Sequence, residues 1–267
     1  MEDTALLLRP PREEASSSSP EAACTLRARW ARHAEEVEAA QALRHRVFCG
    51  EMGAVLRPPP GTPPGLDADE FDRFCEHLIV TASSADAGER VVGTYRVLTP
   101  DAARMVGRLY ADDEFDLSAL APLRPRMAEL GRSCVDPQWR TGSVILMLWG
   151  QLVTFMARND LDLMIGCASV PMRDGGHLAA SLWTRLRAQH LAPAPWQVVP
   201  RLALPVEQLR GDLDVEPPPL IKGYLACGAR LLGAPAWDAD FGTADLPMML
   251  DLKDLPAAYR RRFLRPV

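Results

Sequence analysis

Two charged residues interrupt a segment that is otherwise typical of a buried strand. Glu129 and Arg132 lie within residues 127–135 (MAELGRSCV), directly before a turn. Strand alternation places their side chains on opposite faces unless a β-bulge shifts the register. A charged group in such a setting needs a partner, and a structural salt bridge to another element is the alternative to a functional site.

Two more arginines lie in predicted regular structure. Arg44 and Phe48 are one turn apart near the end of a predicted helix. An arginine there either serves a site or complements the helix dipole. Arg96 lies within a predicted strand, and an arginine that points inward from a strand requires an anion, whereas one at a sheet edge does not.

An acidic loop precedes the second strand. Asp67, Asp69 and Asp72 fall within LDADEFD (66–72), and the similar DDEFD recurs at 112–116. Because most acidic loops are simply solvated, this pattern alone does not distinguish a binding loop from an ordinary one.

The turn DPQWRTGSV (136–144) leads into a predicted helix, whose free amides could hold a phosphate. It is neither a Walker loop nor GxGxxG, because Gly142 is its only glycine. The chain has no GxSxG elbow and no HxxxD motif. Cys134 and Cys167 have no evident histidine partner, which argues against a cysteine nucleophile.

Hydrophobic periodicity defines the elements that would position these residues. It predicts strands near 23–30, 78–81, 91–98, 127–135 and 163–168, and helices near 34–48, 112–123, 142–158, 176–190 and 217–226. Asp112 or Asp113 is the expected N-cap of the second helix. One or two short strands and a basic terminal helix follow. This order predicts an α/β fold: a single domain with a mixed central sheet flanked by helices.

Composition excludes some functional classes. A net charge of −5 argues against a general nucleic-acid binder. The six cysteines are widely spaced, without a CxxC or Cys/His cluster, so we expect no metal site and no disulfide framework. Residues 1–22 read as a disordered tail without a signal peptide, and the longest apolar stretch, 144–157, is too short to span a membrane.

In order, several segments resemble the Gcn5-related N-acetyltransferase (GNAT) superfamily. They are LRHRVF (43–48), DADEFD (67–72), VVGTYRVL (91–98), ELGRSCV (129–135) and DPQWRTG (136–142). The match is to the branch that includes the acyl-homoserine-lactone synthases and, more closely, the ornithine-lipid N-acyltransferases. The latter are favoured by IGCASVP (165–171), PPLIKGYLACGA (218–229) and WDADFGTADL (237–246). The resemblance implies an acyltransferase core over 23–200 and a C-terminal extension over 201–267 packed on it.

The resemblance also implies roles for individual residues. Glu129 and Arg132 are the expected catalytic residues, with Glu129 as the base. Arg44, Phe48, Asp69, Asp72 and Arg96 are expected to bind the acceptor, the aspartates holding cationic groups and an arginine holding the carboxylate. An acyl-phosphopantetheine arm is expected between the strands at 127–135 and 163–168, against Ser133, Cys134, Val135, Arg140, Thr141, Gly142 and Ser143.

Two departures from the superfamily pattern stand out. The phosphate turn lacks the usual glycines after Gly142. No tyrosine follows the fifth strand to protonate the leaving thiolate, although a thiolate with a pKa of about 8.5 leaves without an acid.

The expected function is transfer of a 3-hydroxy fatty acyl group from acyl carrier protein to the α-amine of L-ornithine, by direct aminolysis. No bound cofactor is expected, since the acyl-phosphopantetheine is a donor substrate. The alternatives are the same chemistry on another amine, including lactone-type synthesis, and a non-catalytic acyl-binding regulator. We expect a cytoplasmic protein. Its basic segment 260–265 docks the acidic carrier protein, contacts anionic lipid at the inner membrane surface, or is simply a solvated terminal helix.

Overall fold

The computed structural model describes residues 24–85 and 88–263. The predicted tail at 1–22 lies outside these residues. The strands are β1 (Thr25–Trp30), β2 (Glu76–Ser84), β3 (Gly88–Leu98), β4 (Phe115–Asp116), β5 (Met127–Val135), β6 (Leu163–Pro171), β7 (Val199–Pro200), β8 (Arg230–Leu231), β9 (Ala236–Asp238) and β10 (Thr243–Asp251). The α-helices are α1 (Ala34–His45), α2 (Pro100–Val106), α3 (Ser143–Arg158), α4 (His177–His190), α5 (Pro219–Ala226) and α6 (Ala257–Phe263).

Eight strands form one mixed sheet in the order β1-β2-β3-β5-β6-β10-β8, with β9 also paired to β10. Strands β5 and β6 form its parallel pair, and the other neighbours are antiparallel. Strands β4 and β7 make a separate ribbon. The predicted mixed sheet with flanking helices is therefore confirmed.

The parallel pair separates partway along. β5 and β6 pair only from Met127 to Glu129 against Leu163 to Ile165. At the point of separation a Cβ on Gly166 would lie 2.5 Å from the carbonyl oxygen of Leu130. Glycine therefore allows the two backbones to approach closely just before they diverge, and a cleft opens beyond them.

Helix α3 covers one face of the sheet. Its buried residues include Val144, Leu148 and Leu152, which belong to a core cluster with Leu78 and Val92 of the neighbouring strands. Its apolar residues recur at spacings of three and four, as expected for a helix with one face on a core. This packing fixes the start of α3 beside the end of β5.

The predicted helix at 112–123 is wrong. Instead, 3₁₀ turns occur at Tyr110–Asp112 and Ser118–Arg126, and Pro122 and Pro125 prevent a continuous α-helix in the second. Asp112 caps no α-helix, since its carboxylate accepts a hydrogen bond from the amide of Leu109 at 2.8 Å.

The preceding helix, α2, was not predicted. The hydroxyl of Thr99 accepts a hydrogen bond from the amide of Ala102 at 3.3 Å, and Pro100 occupies the first turn. Both features are typical of the start of a helix, but the seven residues of α2 are too few to show a clear helical spacing of apolar residues.

The C-terminal segment contributes more to the sheet than expected. β10 spans nine residues and pairs with β6 along its full length, where only short strands were predicted. Asp245 and Pro247 disrupt the apolar pattern of the segment, which concealed the strand. Among the described residues, no helix combines the length and hydrophobicity needed to cross a bilayer.

Candidate active site

Arg44 is the centre of a buried ion cluster. Its Nε donates to Asp67 Oδ2 at 2.9 Å, while Nη1 and Nη2 donate to the two carboxylate oxygens of Asp72 at 2.9 and 2.7 Å. The arginine is 0% exposed. Burial alone would raise the pKa of Asp72, but the hydrogen bonds and charge of Arg44 hold it well below its usual range.

Two other arginines extend the cluster. Arg96 Nη1 lies 2.6 Å from Asp69 Oδ1 and 3.1 Å from Asp72 Oδ1, and Arg132 Nη2 lies 3.1 Å from Asp69 Oδ2. We call Arg44, Arg96, Arg132, Asp67, Asp69 and Asp72 the arginine–aspartate network. Its three positive charges balance its three negative charges, so the network is neutral as it stands.

A bulge brings Arg132 to the same side as Glu129. The β3–β5 register shifts between Thr94 and Arg96, and Arg132 has a φ of 51°. Such a left-handed conformation is unfavourable for a non-glycine residue and is common at functional sites. The bulge places the side chains of Glu129 and Arg132 on the same side of β5, and both line one cavity.

Glu129 lies at the closed end of the cleft. Each carboxylate oxygen accepts a backbone hydrogen bond, from the amides of Tyr110 and Ala111 at 2.6 and 2.7 Å. The residue is 5% exposed, and burial raises its pKa to about 7 despite these amides and the charge of Arg96. A carboxylate with this pKa can accept a proton near neutral pH.

The cavity joins a charged end to an apolar end. It encloses about 300 Å³. The charged end includes Glu129, Arg132 and Arg96, with Phe48 packed edge-to-face on Phe241 at 5.8 Å. The apolar end runs between β5 and β6 toward α3 and α5, lined by Trp149, Leu152, Val153, Met164, Leu220 and Met248. A cavity of this shape suits a molecule with a polar head and an aliphatic chain.

The turn before α3 only partly joins this cavity. Ser133 lines it, whereas Cys134 is buried in a cluster with Phe48. Arg140 forms a bidentate pair with Glu51 at 2.6 and 2.7 Å and donates to the carbonyl of Val135 at 3.1 Å. A phosphate at this turn would therefore compete with Glu51 for the guanidinium.

Beyond Arg140, the turn is held by its own side chains. The hydroxyls of Thr141 and Ser143 are 3.1 Å apart, and Gly142, the N-cap residue directly before α3, has a φ of 89°. This left-handed conformation favours glycine. The phosphate role of these residues stays a prediction.

Residues that the sequence interpretation did not assign also line the cavity. Asp238 and Asp245 come from WDADFGTADL, whose acids had carried no role. Asp245 is an acid within the apolar segment that forms β10, just as Glu129 is within β5, so the sequence offered the same reason to assign it to a site.

Tyrosines line the cavity, although none of them follows the fifth strand in the chain. Tyr95, Tyr110 and Tyr224 all line the cavity, and the hydroxyls of Tyr95 and Tyr224 are hydrogen-bonded. The sequence did not predict this contact, because Tyr224 lies in α5, which is far from β3 along the chain.

Residues 43–150 match the family model described as acetyltransferase (GNAT) domain. The chain is 35% identical to the L-ornithine N(alpha)-acyltransferase of Agrobacterium fabrum over 88% of this chain and 84% of that protein. It is 34% identical to the L-ornithine N(alpha)-acyltransferase of Rhodobacter capsulatus over 90% and 95% of the two chains. The chain belongs to this family. It is an acyltransferase, as the ordered motifs predicted.

Solved structures show the fold of this acyltransferase. A CoA-dependent acyl-homoserine lactone synthase matches with a TM-score of 0.50 at 18% identity, over 88% of this chain and 85% of the other. An N-acyl amino acid synthase from uncultured soil microbes matches with a TM-score of 0.52 at 12% identity, over 91% and 97%. The GNAT-like fold is confirmed, while the roles of individual site residues stay predictions.

Proposed function

We propose that this acyltransferase moves a 3-hydroxy fatty acyl group from acyl carrier protein to the α-amine of L-ornithine, forming lyso-ornithine lipid. We take the acceptor from the relatives, which are named L-ornithine N(alpha)-acyltransferases and which this chain matches over most of their length. The observation that supports acyl transfer most directly is the single cavity that joins the buried carboxylate of Glu129 to an apolar channel.

The donor would enter where β5 and β6 separate. The acyl chain would occupy the apolar end, beside Trp149 and Leu152. The thioester carbonyl would face backbone amides of β5 near Ser133, which no longer pair with β6. The phosphate of the phosphopantetheine arm would lie at Arg140–Ser143, where the guanidinium exchanges Glu51 for the phosphate.

The acceptor would bind at the charged end. Its α-ammonium gives a proton to Glu129, and the free amine then attacks the thioester carbonyl carbon. An amide C–N bond forms, the C–S bond breaks, and the sulfur leaves as a thiolate, which takes up the second proton of the amine to become the free carrier thiol. Arg132 would hold the substrate carboxylate, since its side chain is 11% exposed, more than that of Arg44 or Arg96, and lines the cavity. Fixing amine and thioester side by side supplies much of the acceleration.

Helix α6 is the candidate contact for an acidic carrier protein. It carries Arg260, Arg261 and Arg262, all three of them exposed. Arg260 also donates to the carbonyl of Lys253 at 2.8 Å, which gives it a structural role. Anionic lipid is the alternative partner for this surface, while Arg265 lies outside the described residues.

The test is direct. Purified protein is incubated with 3-hydroxyacyl thioesters of acyl carrier protein or coenzyme A and a panel of amino acids, and acylated products are identified by mass spectrometry. Ornithine acylated from the carrier protein supports the proposal. Acylation of another amine in preference to ornithine would reassign the acceptor. A preference for coenzyme A would reassign the donor.

A further inference from the structure

Three acidic side chains meet outside the arginine–aspartate network. Glu114 precedes β4, Asp238 ends β9, and Asp245 lies in β10 opposite Ser169 of β6. Carboxylate oxygens of Glu114 and Asp245 and the sulfur of Cys167 all lie within 4.8 Å of one another. Asp238, Asp245 and Cys167 line the cavity that contains Glu129. We call Glu114, Asp238 and Asp245 the acidic pocket.

The acidic pocket has no ion-pair partner among the described residues. Asp245 accepts a hydrogen bond from the Thr243 hydroxyl at 2.9 Å, and Asp238 accepts bonds from two backbone amides at 2.9 and 3.0 Å. Both carboxylate oxygens of Glu114 are buried and have no hydrogen-bond partner among those residues. Asp245 is only 4% exposed. Every aspartate of the arginine–aspartate network, in contrast, is paired with an arginine.

The burial of these acids without a counter-charge disfavours their ionised forms. Burial, together with the charges of Asp245 and Asp238, raises the pKa of Glu114 well above its ordinary value. Burial and the charge of Asp238 also raise the pKa of Asp245. Burial without a cation therefore favours the protonated forms of Glu114 and Asp245, and a bound cation would favour their charged forms. The chemistry of the pocket therefore matches a positively charged ligand.

We propose that the acidic pocket binds the side-chain ammonium of the acceptor and so selects a diamino acid over a neutral one. This inference rests on the proposed function. Cys167 lies two residues along β6 from Ile165, the partner of Glu129, a separation of about 7 Å at the rise of a strand. An acceptor with its α-amine at Glu129 can therefore place a second amine, a few methylenes away, at the pocket.

A divalent metal is the competing occupant. Glu114, Cys167 and Asp245 could offer three ligand atoms. However, burial raises the pKa of the Cys167 thiol well above its ordinary value, and the neighbouring carboxylates raise it further. A protonated thiol is a poor ligand. An ammonium needs only carboxylate acceptors, so the observations favour an organic cation.

The experiment compares two acceptors that differ only in the side-chain amine: ornithine and 2-aminopentanoic acid, with one acyl donor. Wild-type kcat/KM is expected to favour ornithine by about 100-fold or more, because a neutral chain leaves the buried acids without a partner. Asp245→Asn is expected to lower kcat/KM for ornithine at least 30-fold, mainly through KM, and to reduce the preference to below about 10-fold. Ornithine affinity, measured by calorimetry, should fall in parallel.

Asp240→Asn is the matched control. Asp240 is two residues from Asp238 but points outward to Arg57 at 2.6 Å, so its removal should leave the preference unchanged. Thermal melting checks that each variant folds, and Glu114→Gln replaces Asp245→Asn if the latter does not.

Three results would overturn the proposal: equal wild-type rates on both acceptors, an equal loss on both in Asp245→Asn, or a stoichiometric metal that this substitution releases. If the wild type acylates no amine, the proposed function fails. Calorimetry with ornithine then still decides whether the pocket binds the diamino acid.

Discussion

At the scale of single residues, Glu129 carries the sharpest prediction. Only its ionised form can accept the proton of the incoming ammonium, and burial raises its pKa to about 7. The kcat/KM should therefore rise as pH increases through about 7, with a further rise as free amine accumulates. Glu129→Gln should lower kcat by about 10²- to 10⁴-fold and remove the limb near pH 7. Initial rates from pH 5.5 to 9 measure both effects.

A regulator that only binds acyl chains would respond differently to the same substitution. Its ligand affinity would be unchanged in Glu129→Gln, and no turnover would be lost. Retention of the wild-type rate and pH profile would contradict the role of Glu129 as base.

We predict that Arg44 contributes mainly to the free energy of unfolding. Its removal leaves Asp67 and Asp72 buried without their main partner, which costs about 3–5 kcal/mol. The neighbouring Arg46 is exposed, so Arg46→Ala is the matched control, with a change within about 0.5 kcal/mol. Urea unfolding of Arg44→Ala and Arg46→Ala measures the difference. Similar unfolding free energies would show that the buried cluster contributes little.

The charged site residues were visible in the sequence, but their connections were not. Glu129 and Arg132 stand out because charge is rare in an apolar strand. Their common facing depends on a bulge and on the positive φ of Arg132, which alternation cannot predict. The pairing of Arg44 with residues more than twenty positions away depends on where the acidic loop packs.

At the scale of elements, two helical glycines provide a matched pair. A Cβ on Gly223 of α5 would lie 2.3 Å from the Trp149 ring, whereas one on Gly150 of α3 would meet only Phe263 at 3.6 Å. Alanine favours a helix over glycine by about 1 kcal/mol in both. Gly150→Ala should therefore stabilise the fold, while Gly223→Ala should destabilise it by about 1–3 kcal/mol through overpacking. Thermal and urea unfolding compare the two.

The same pair tests the channel wall. Trp149 lines the apolar end of the cavity, so displacement of its ring in Gly223→Ala should change which acyl chain lengths react best. Gly150→Ala should keep the wild-type chain-length profile. An unchanged profile in Gly223→Ala, together with a Gly150-like gain in stability, would contradict the close packing of α5 on α3.

Elements with strong periodicity were predictable, and those set by tertiary contacts were not. Helices α3 and α4 follow from their apolar spacing. Strand β10 did not, because its central residues include Asp245 and Pro247 and its place beside β6 is a long-range pairing. The acidic pocket was missed for the same reason, since it needs β6, β9, β10 and the segment before β4 together.

At the scale of the whole molecule, substitution of the exposed arginines of α6 tests whether the acyl donor is a carrier protein or a small thioester. A double change, Arg261→Glu with Arg262→Glu, should raise KM for acyl carrier protein several-fold and reduce the salt dependence of its kcat/KM. KM for the matching coenzyme A thioester should stay within about 2-fold. Equal effects on both donors would contradict carrier docking at α6.

Anionic lipid is separated from the carrier protein by a second assay. Sedimentation with vesicles of phosphatidylglycerol and phosphatidylcholine measures lipid binding by the wild type and the double variant. Lost sedimentation with unchanged carrier kinetics would assign the surface to lipid.

The central claim, thioester-to-amine transfer within one cavity, is tested most directly by single-turnover acylation. Purified enzyme, 3-hydroxyacyl carrier protein and ornithine are mixed, and the products are resolved by mass spectrometry. We expect Nα-acylated ornithine and free carrier thiol in equal amounts, and almost none of either with Glu129→Gln. Thiol release without acylated amine, or wild-type yields from Glu129→Gln, would contradict this account.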